Sequence, residues 1–231
     1  MHMNFIKKTL LLSLAISLSP IAEAATPSWT PKAGSQLSFI SRSNGKPTGT
    51  LVFDFTQSGD RIVERRVEHL ELSRMLLKAA MDQTLESTWR GQTLESFTSS
   101  TIVKSTVKDS NESLKVTRLA NGKLSATTQD SSHELDAEAW PLTLTSRSFV
   151  SHSPVFDLTK GKIITVNGVS KGFEPITADG VTQNCERVET KATQDKTSTD
   201  VVLWYDSIGR LCAMRYPTVM GTVDYIRTSV K

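Results

Sequence analysis

The sequence predicts an all-β protein, an antiparallel meander forming a barrel or half-barrel with at most one short helix. Three observations predict it. Thr, Ser and Val dominate after the first two dozen residues, a composition that suits pleated, half-buried strands. Apolar residues recur with period two, as in Leu51, Phe53 and Phe55 against Val52, Asp54 and Thr56. Turn dipeptides punctuate the chain at Asn44-Gly45, Ser58-Gly59, Arg90-Gly91, Asn121-Gly122, Asn167-Gly168, Asp179-Gly180 and Ile208-Gly209. Strands joined so regularly by tight turns make hairpins rather than βαβ units.

Taken in order, residues 1–24 read as a cleavable signal peptide. Lys7 and Lys8 give the positive start, and Thr9 to Leu18 form a ten-residue apolar run. A membrane-spanning helix needs about 20 such residues. Pro20 breaks the run, and Ala22-Glu23-Ala24 supplies the small-x-small cleavage pattern. Residues 25–231 are then expected as a single periplasmic domain with no membrane span after signal removal. The formal net charge is +3 and the charges are dispersed. Arg65-Arg66, for instance, lies between Glu64 and Glu68. Without a basic stripe, no nucleic-acid partner is expected.

Strands are expected at 36–43, 48–57, 60–71, 80–88, 92–105, 111–119, 123–129, 162–166, 182–193, 199–206, 210–216 and 222–230. Leu72, Met75, Leu76 and Ala79 share one helical face, so residues 72–80 are the place for the short helix. Residues 131–160, with Trp140-Pro141 and Ser153-Pro154, read as an irregular excursion covering one end of the sheet. The C-terminal third is a meander in which Val202 and Trp204 share one face and Leu203 and Tyr205 the other. Trp204 is expected as its main inward anchor.

Cys185 and Cys212 are the two cysteines. An exported chain favours a disulfide between them. The meander register opposes it, because cysteines two strands apart sit about 9–10 Å from each other and a disulfide needs Cα atoms within roughly 7 Å. Compartment and geometry balance.

The order of certain residues resembles a family of exported bacterial β-rich proteins of unassigned function. Gly45-Lys46-Pro47-Thr48-Gly49 precedes the strand from Leu51 to Phe55, and Trp89-Arg90-Gly91 stands mid-chain. Trp204-Tyr205-Asp206, Gly209-Arg210-Leu211, Gly221 and Tyr225 close it in a W-Y-D…G-R-L…G…Y ending. The resemblance implies a barrel-like periplasmic domain and carries over no catalytic residue. The segment Pro217 to Met220 departs from it, since polar turn residues are expected there.

No motif assigns chemistry. His133 stands among Asp130, Glu134, Asp136 and Glu138, but no His-x-His, Cys-x-x-Cys or His-Glu-x-x-His spacing accompanies it. Neither metal nor cofactor is expected. Gly-x-Ser-x-Gly is missing, and the scattered carboxylates select no catalytic pair. Trp89, Trp140, Phe149, Phe156 and Trp204 are the candidate ligand-binding residues, able to line an apolar cavity although core packing explains each as well. The expectation is a non-enzymatic periplasmic protein binding an apolar or amphiphilic ligand or an envelope partner. An envelope hydrolase using unidentified carboxylates and a structural subunit of an envelope assembly are the alternatives.

Overall fold

The computed structural model describes residues 29–178 and 180–231. The expected leader, residues 1–24, and Asp179 of one turn dipeptide lie outside them. Fifteen strands form one sheet. They are β1 (Gln36–Ser43), β2 (Lys46–Ser58), β3 (Arg61–Arg74), β4 (Leu77–Arg90), β5 (Thr93–Ser105), β6 (Ser110–Arg118), β7 (Leu124–Thr128), β8 (Ser132–Leu135), β9 (Trp140–Pro141), β10 (Val155–Phe156), β11 (Ile163–Ala178), β12 (Val181–Gln194), β13 (Thr197–Tyr205), β14 (Leu211–Thr218) and β15 (Gly221–Val230). Neighbours in sequence are neighbours in space, except that β1 pairs with β15 in the middle of the sheet while β8 and β9 form its edges. All pairs are antiparallel apart from β9 with β10. The result is an open, barrel-like meander.

One face of the sheet turns inward. Phe39, Leu51, Phe53 and Phe55 meet Leu203, Tyr205, Val223 and Tyr225 in one buried cluster. Leu85, Leu94, Phe97, Leu114 and Val116 form a second with Phe156. Phe156 belongs to a strap, residues 136–162, that packs into both clusters through Val150 and Phe156. The strap is tied down on both sides. Arg147 makes a largely buried ion pair with Glu186 at 3.0 Å, Ser99 donates to the Leu158 carbonyl, and Leu211 N donates to the Thr145 carbonyl at 3.1 Å.

Three expectations are corrected. Residues 72–80 are not helical. They are the tip of the β3–β4 hairpin, whose unbroken ladder runs from Ile62 opposite Trp89 to Arg74 opposite Leu77. Met75 and Leu76 project 96% and 90% exposed, so their helical pattern has no core to pack against, and ladder pairing overrides propensity. Asn167-Gly168 is not a turn either, but lies inside β11. Its glycine answers a close approach, because a Cβ there would sit 2.0 Å from Val150 of the strap. Lastly, Trp204 does not face the barrel interior. Leu203 and Tyr205 do, fully buried, while Trp204 packs on the opposite face with the two cysteines and Ala213. Both faces of β13 are apolar because both are covered, so alternation alone does not say which one is inside.

Gly49 marks another close approach, since a Cβ there would collide at 1.9 Å with the His69 carbonyl oxygen across the β2–β3 ladder. Among the described residues, no helix is long and apolar enough to cross a membrane.

Candidate functional site

The inward parity of β3 carries Ile62, Glu64, Arg66, Glu68 and Leu70. Three successive charges therefore sit on the buried face of a strand, and all three are at least nine-tenths buried. Two of them satisfy one another. Arg66 donates to Glu68, which also accepts the Tyr225 hydroxyl. The Arg66 guanidinium lies 5.7 Å from the centre of the Phe53 ring, and the Tyr216 and Tyr225 rings stack at 5.8 Å. Burial raises the Tyr216 hydroxyl to about 12, so this cluster keeps neutral phenols beside one ion pair. It reads as a structural polar core.

Glu64 differs. It is 3% exposed and, among the described residues, has no basic side chain within ion-pair distance. One carboxylate oxygen, Oε2, accepts the Ser87 hydroxyl at 3.2 Å, and Ser87 in turn accepts the Trp89 indole N–H at 2.7 Å. The other oxygen, Oε1, is buried without a hydrogen-bond partner. Loss of water pushes the carboxyl up from 4.5 to about 7, against smaller lowering by Ser87, Arg66 and Thr143.

Glu64 lines a cavity of about 90 Å³ at the end of the barrel where β4 turns into β5. Its walls are Trp29, Phe55, Ile62, Trp89, Trp140 and Phe149, and its rim includes Thr145 and Ser146. The aromatic rings brace one another edge to face. Trp89 and Trp140 have centroids 5.5 Å apart, Trp140 and Phe149 5.1 Å, and Trp29 and Phe55 5.3 Å. His152 stacks flat on Trp140 at 3.8 Å and is fixed through Nε2 to the Glu138 carbonyl oxygen at 2.7 Å. Two of the wall residues come from the strap, so its anchoring positions the site.

The structure thus brings together three of the five aromatics singled out in the sequence, namely Trp89, Trp140 and Phe149. Phe156 is apart from them, fully buried against Phe97 at 5.5 Å. Trp204 lies on the other face of the sheet, its indole N–H donating to Glu174 at 2.6 Å and its ring 5.8 Å from the Arg215 guanidinium. Sequence reasoning passed over Glu64 and Trp29. The signal for Glu64 is its parity, two residues from Ile62 and six from Leu70 on the same face of β3.

Cys185 and Cys212 are joined in a disulfide with Cα atoms 6.7 Å apart. The strand between them stops short. Cys185 lies one residue beyond the last β12–β13 pair, Glu186 with Tyr205, and Cys212 is the extra residue of a bulge between Trp204 and Tyr205. With no strand intervening, the gap closes. Around His133, by contrast, nothing gathers. Its Nε2 pairs with the Gly161 carbonyl oxygen at 3.1 Å, and Glu134 pairs with Lys123 at 2.8 Å. Among the described residues, no group of three His, Cys, Asp or Glu is placed to hold a metal ion.

A family model described as a domain of unknown function, DUF6134, matches residues 39–228. The chain belongs to that family. The match spans every strand from β2 to β14, the last five residues of β1 and most of β15, so the candidate pocket, apart from Trp29, Thr30 and Pro31, lies inside the family domain. Among solved structures, the chain is similar to the beta-barrel-like protein of domain of unknown function DUF1849 from Brucella abortus. The identity is 10%, the TM-score 0.58, and the alignment covers 85% of this chain and 96% of that one. At that identity the likeness concerns the fold alone. No curated protein matches the chain in sequence.

Proposed function

We propose that this chain is an exported, periplasmic protein that binds the end group of an apolar or amphiphilic molecule and catalyses nothing. The carrying observation is the pocket in which Trp29, Trp89, Trp140 and Phe149 surround one desolvated carboxyl group. Its size supports an end group rather than a whole ligand. Sites that engulf drug-sized molecules measure roughly 300–1,000 Å³, and this one holds about 90 Å³.

The lining argues for binding over hydrolysis. Among the described residues, Glu64 is the one titratable side chain in the wall. A hydrolase of the two-carboxylate kind places a second acid about 5–10 Å away, and a nucleophilic one places a base beside an accessible hydroxyl or thiol. Ser87, the hydroxyl that touches Glu64, is wholly buried and already engaged by Trp89. Export rests on the leader described above.

Two measurements test the reading. Protein taken from an osmotic-shock fraction should begin at Ala25, and an intact Met1 in the cytosol would end the export argument. Indole fluorescence should change saturably on titration with short amphiphiles, and Trp140→Ala should abolish that response while the fold persists by circular dichroism. A response unchanged in Trp140→Ala would move the binding site elsewhere.

A further inference from the structure

We infer that the Glu64 pocket is built for an alkylammonium group, with the Glu64 carboxyl in its lining and the rings of Trp29, Trp89 and Trp140 around it. This deepens the binding reading above and rests on it.

A purely apolar guest explains the indoles but not the carboxyl. Burying a carboxyl group without a cationic partner is costly, and β3 offers it none, because Arg66 is committed to Glu68. A neutral polar guest could meet the carboxyl but would not need a cluster of indoles. A cation uses both features. Its charge faces the carboxylate, and its methyl or methylene groups lie on ring faces, whose negative quadrupoles attract cations within about 6 Å.

A cavity of roughly 150 Å³ takes a benzene ring, and this one, at about 90 Å³, takes a primary ammonium group whole and a trimethylammonium head, which is about as bulky as benzene, only in part. Of the neighbours that bear on Glu64, Arg66 on the same strand is the charged one and opposes a cation, an effect offset by its pairing with Glu68. β4 presents the Ser87 hydroxyl, and the strap presents the buried Thr143 hydroxyl, which lies beside the same carboxyl and lowers its pKa. Because desolvation holds the empty carboxyl near neutrality, a bound cation should pull its proton off, and binding should strengthen as pH rises from 5.5 to 8.

The test compares choline with 3,3-dimethylbutan-1-ol, its uncharged carbon isostere, by calorimetry and indole fluorescence on the full mature chain. Choline should bind at least tenfold tighter than the isostere at pH 8 and should release protons, seen as a buffer-dependent heat. Glu64→Gln, with its fold checked by thermal melting, should lose that tenfold preference and keep whatever affinity the isostere has. If the isostere binds as well as choline, the pocket is a binding site and the ammonium assignment is wrong. If neither binds at 50 mM, the binding reading and the assignment both fail. Lysophosphatidylcholine below its micellar concentration distinguishes the source. Affinity well above that of choline identifies a lipid headgroup, and equal affinity identifies a free small cation.

Discussion

Replacing Glu64 with Gln should make the protein more stable, and increasingly so as pH rises. The buried carboxyl has its protonated form favoured, with a value near 7 in place of 4.5. A group raised in the folded state contributes its stability fully below the unfolded value, and that contribution is lost as pH climbs through the folded one. At about 1.36 kcal/mol per pH unit, the whole difference is roughly 3 kcal/mol. Gln mimics the protonated acid. Its carbonyl can accept the Ser87 hydroxyl, and its amide can donate toward Thr143, so it should fit with little strain. Urea unfolding of parent and variant at pH 5 and pH 8.5 gives the result directly. The variant's advantage should widen by roughly 2–3 kcal/mol between the two conditions. A gap that stays constant would mean that Glu64 titrates like an exposed carboxylate and that the pocket holds no desolvated carboxyl. A widening gap would identify a group retained at the expense of stability, as binding sites often require.

Three further outcomes are expected. Asp206 receives hydrogen bonds from the Ile208 and Arg210 N–H groups and from the Arg210 and Arg227 guanidinium groups. Burial works against its charge, but these partners win and lower its pKa, so Asp206→Asn should cost about 3 kcal/mol near neutrality. That cost should shrink as pH falls through the depressed value, measured by urea unfolding across an acid series. Opening the disulfide, which spans 27 residues, should cost about 3.5 kcal/mol on the chain-entropy estimate, or roughly 7–14 °C in melting temperature. Cys185→Ala, Cys212→Ala and the double variant should melt alike, and additive losses would instead show two independent thiols. Leu203→Ala, in the inward cluster, should cost about 2–5 kcal/mol, whereas Met75→Ser with Leu76→Ser at the exposed hairpin tip should stay within about 0.5 kcal/mol, both by urea midpoint.

Most strands were legible because period-two alternation and turn dipeptides agreed with each other. The first expected strand, 36–43, coincides with β1, and the C-terminal meander differs from expectation by a residue or two at its ends. β11 was read only as 162–166 yet runs to Ala178. Both of its faces are largely exposed, so no alternation marks it, and Gly168 and Pro175 look like breaks. The aromatic half of the candidate site was visible through residue type. Its carboxyl was not, because Val63 and Val67 occupy the apolar-looking parity of β3 while the buried parity holds Glu64, Arg66 and Glu68. Hydrophobic pattern finds buried faces only where burial is apolar, and a functional interior is where that rule breaks.

The seam between β1 and β15 has a consequence for how the chain could be rewired. Gln36 and Lys231 exchange backbone hydrogen bonds at 3.0 and 3.1 Å, while the free edges of the sheet, β8 and β9, are separated by a short stretch in mid-sequence. A circular permutant that bridges Lys231 to Gln36 and opens between Leu135 and Trp140 would read its strands in the same order in which they lie side by side. Contacts that now join residues 190 positions apart, such as Thr228 with Ser38, would become those of a hairpin. Folding rates fall as contacts become more distant in sequence, so the permutant should reach the same barrel faster than the natural chain.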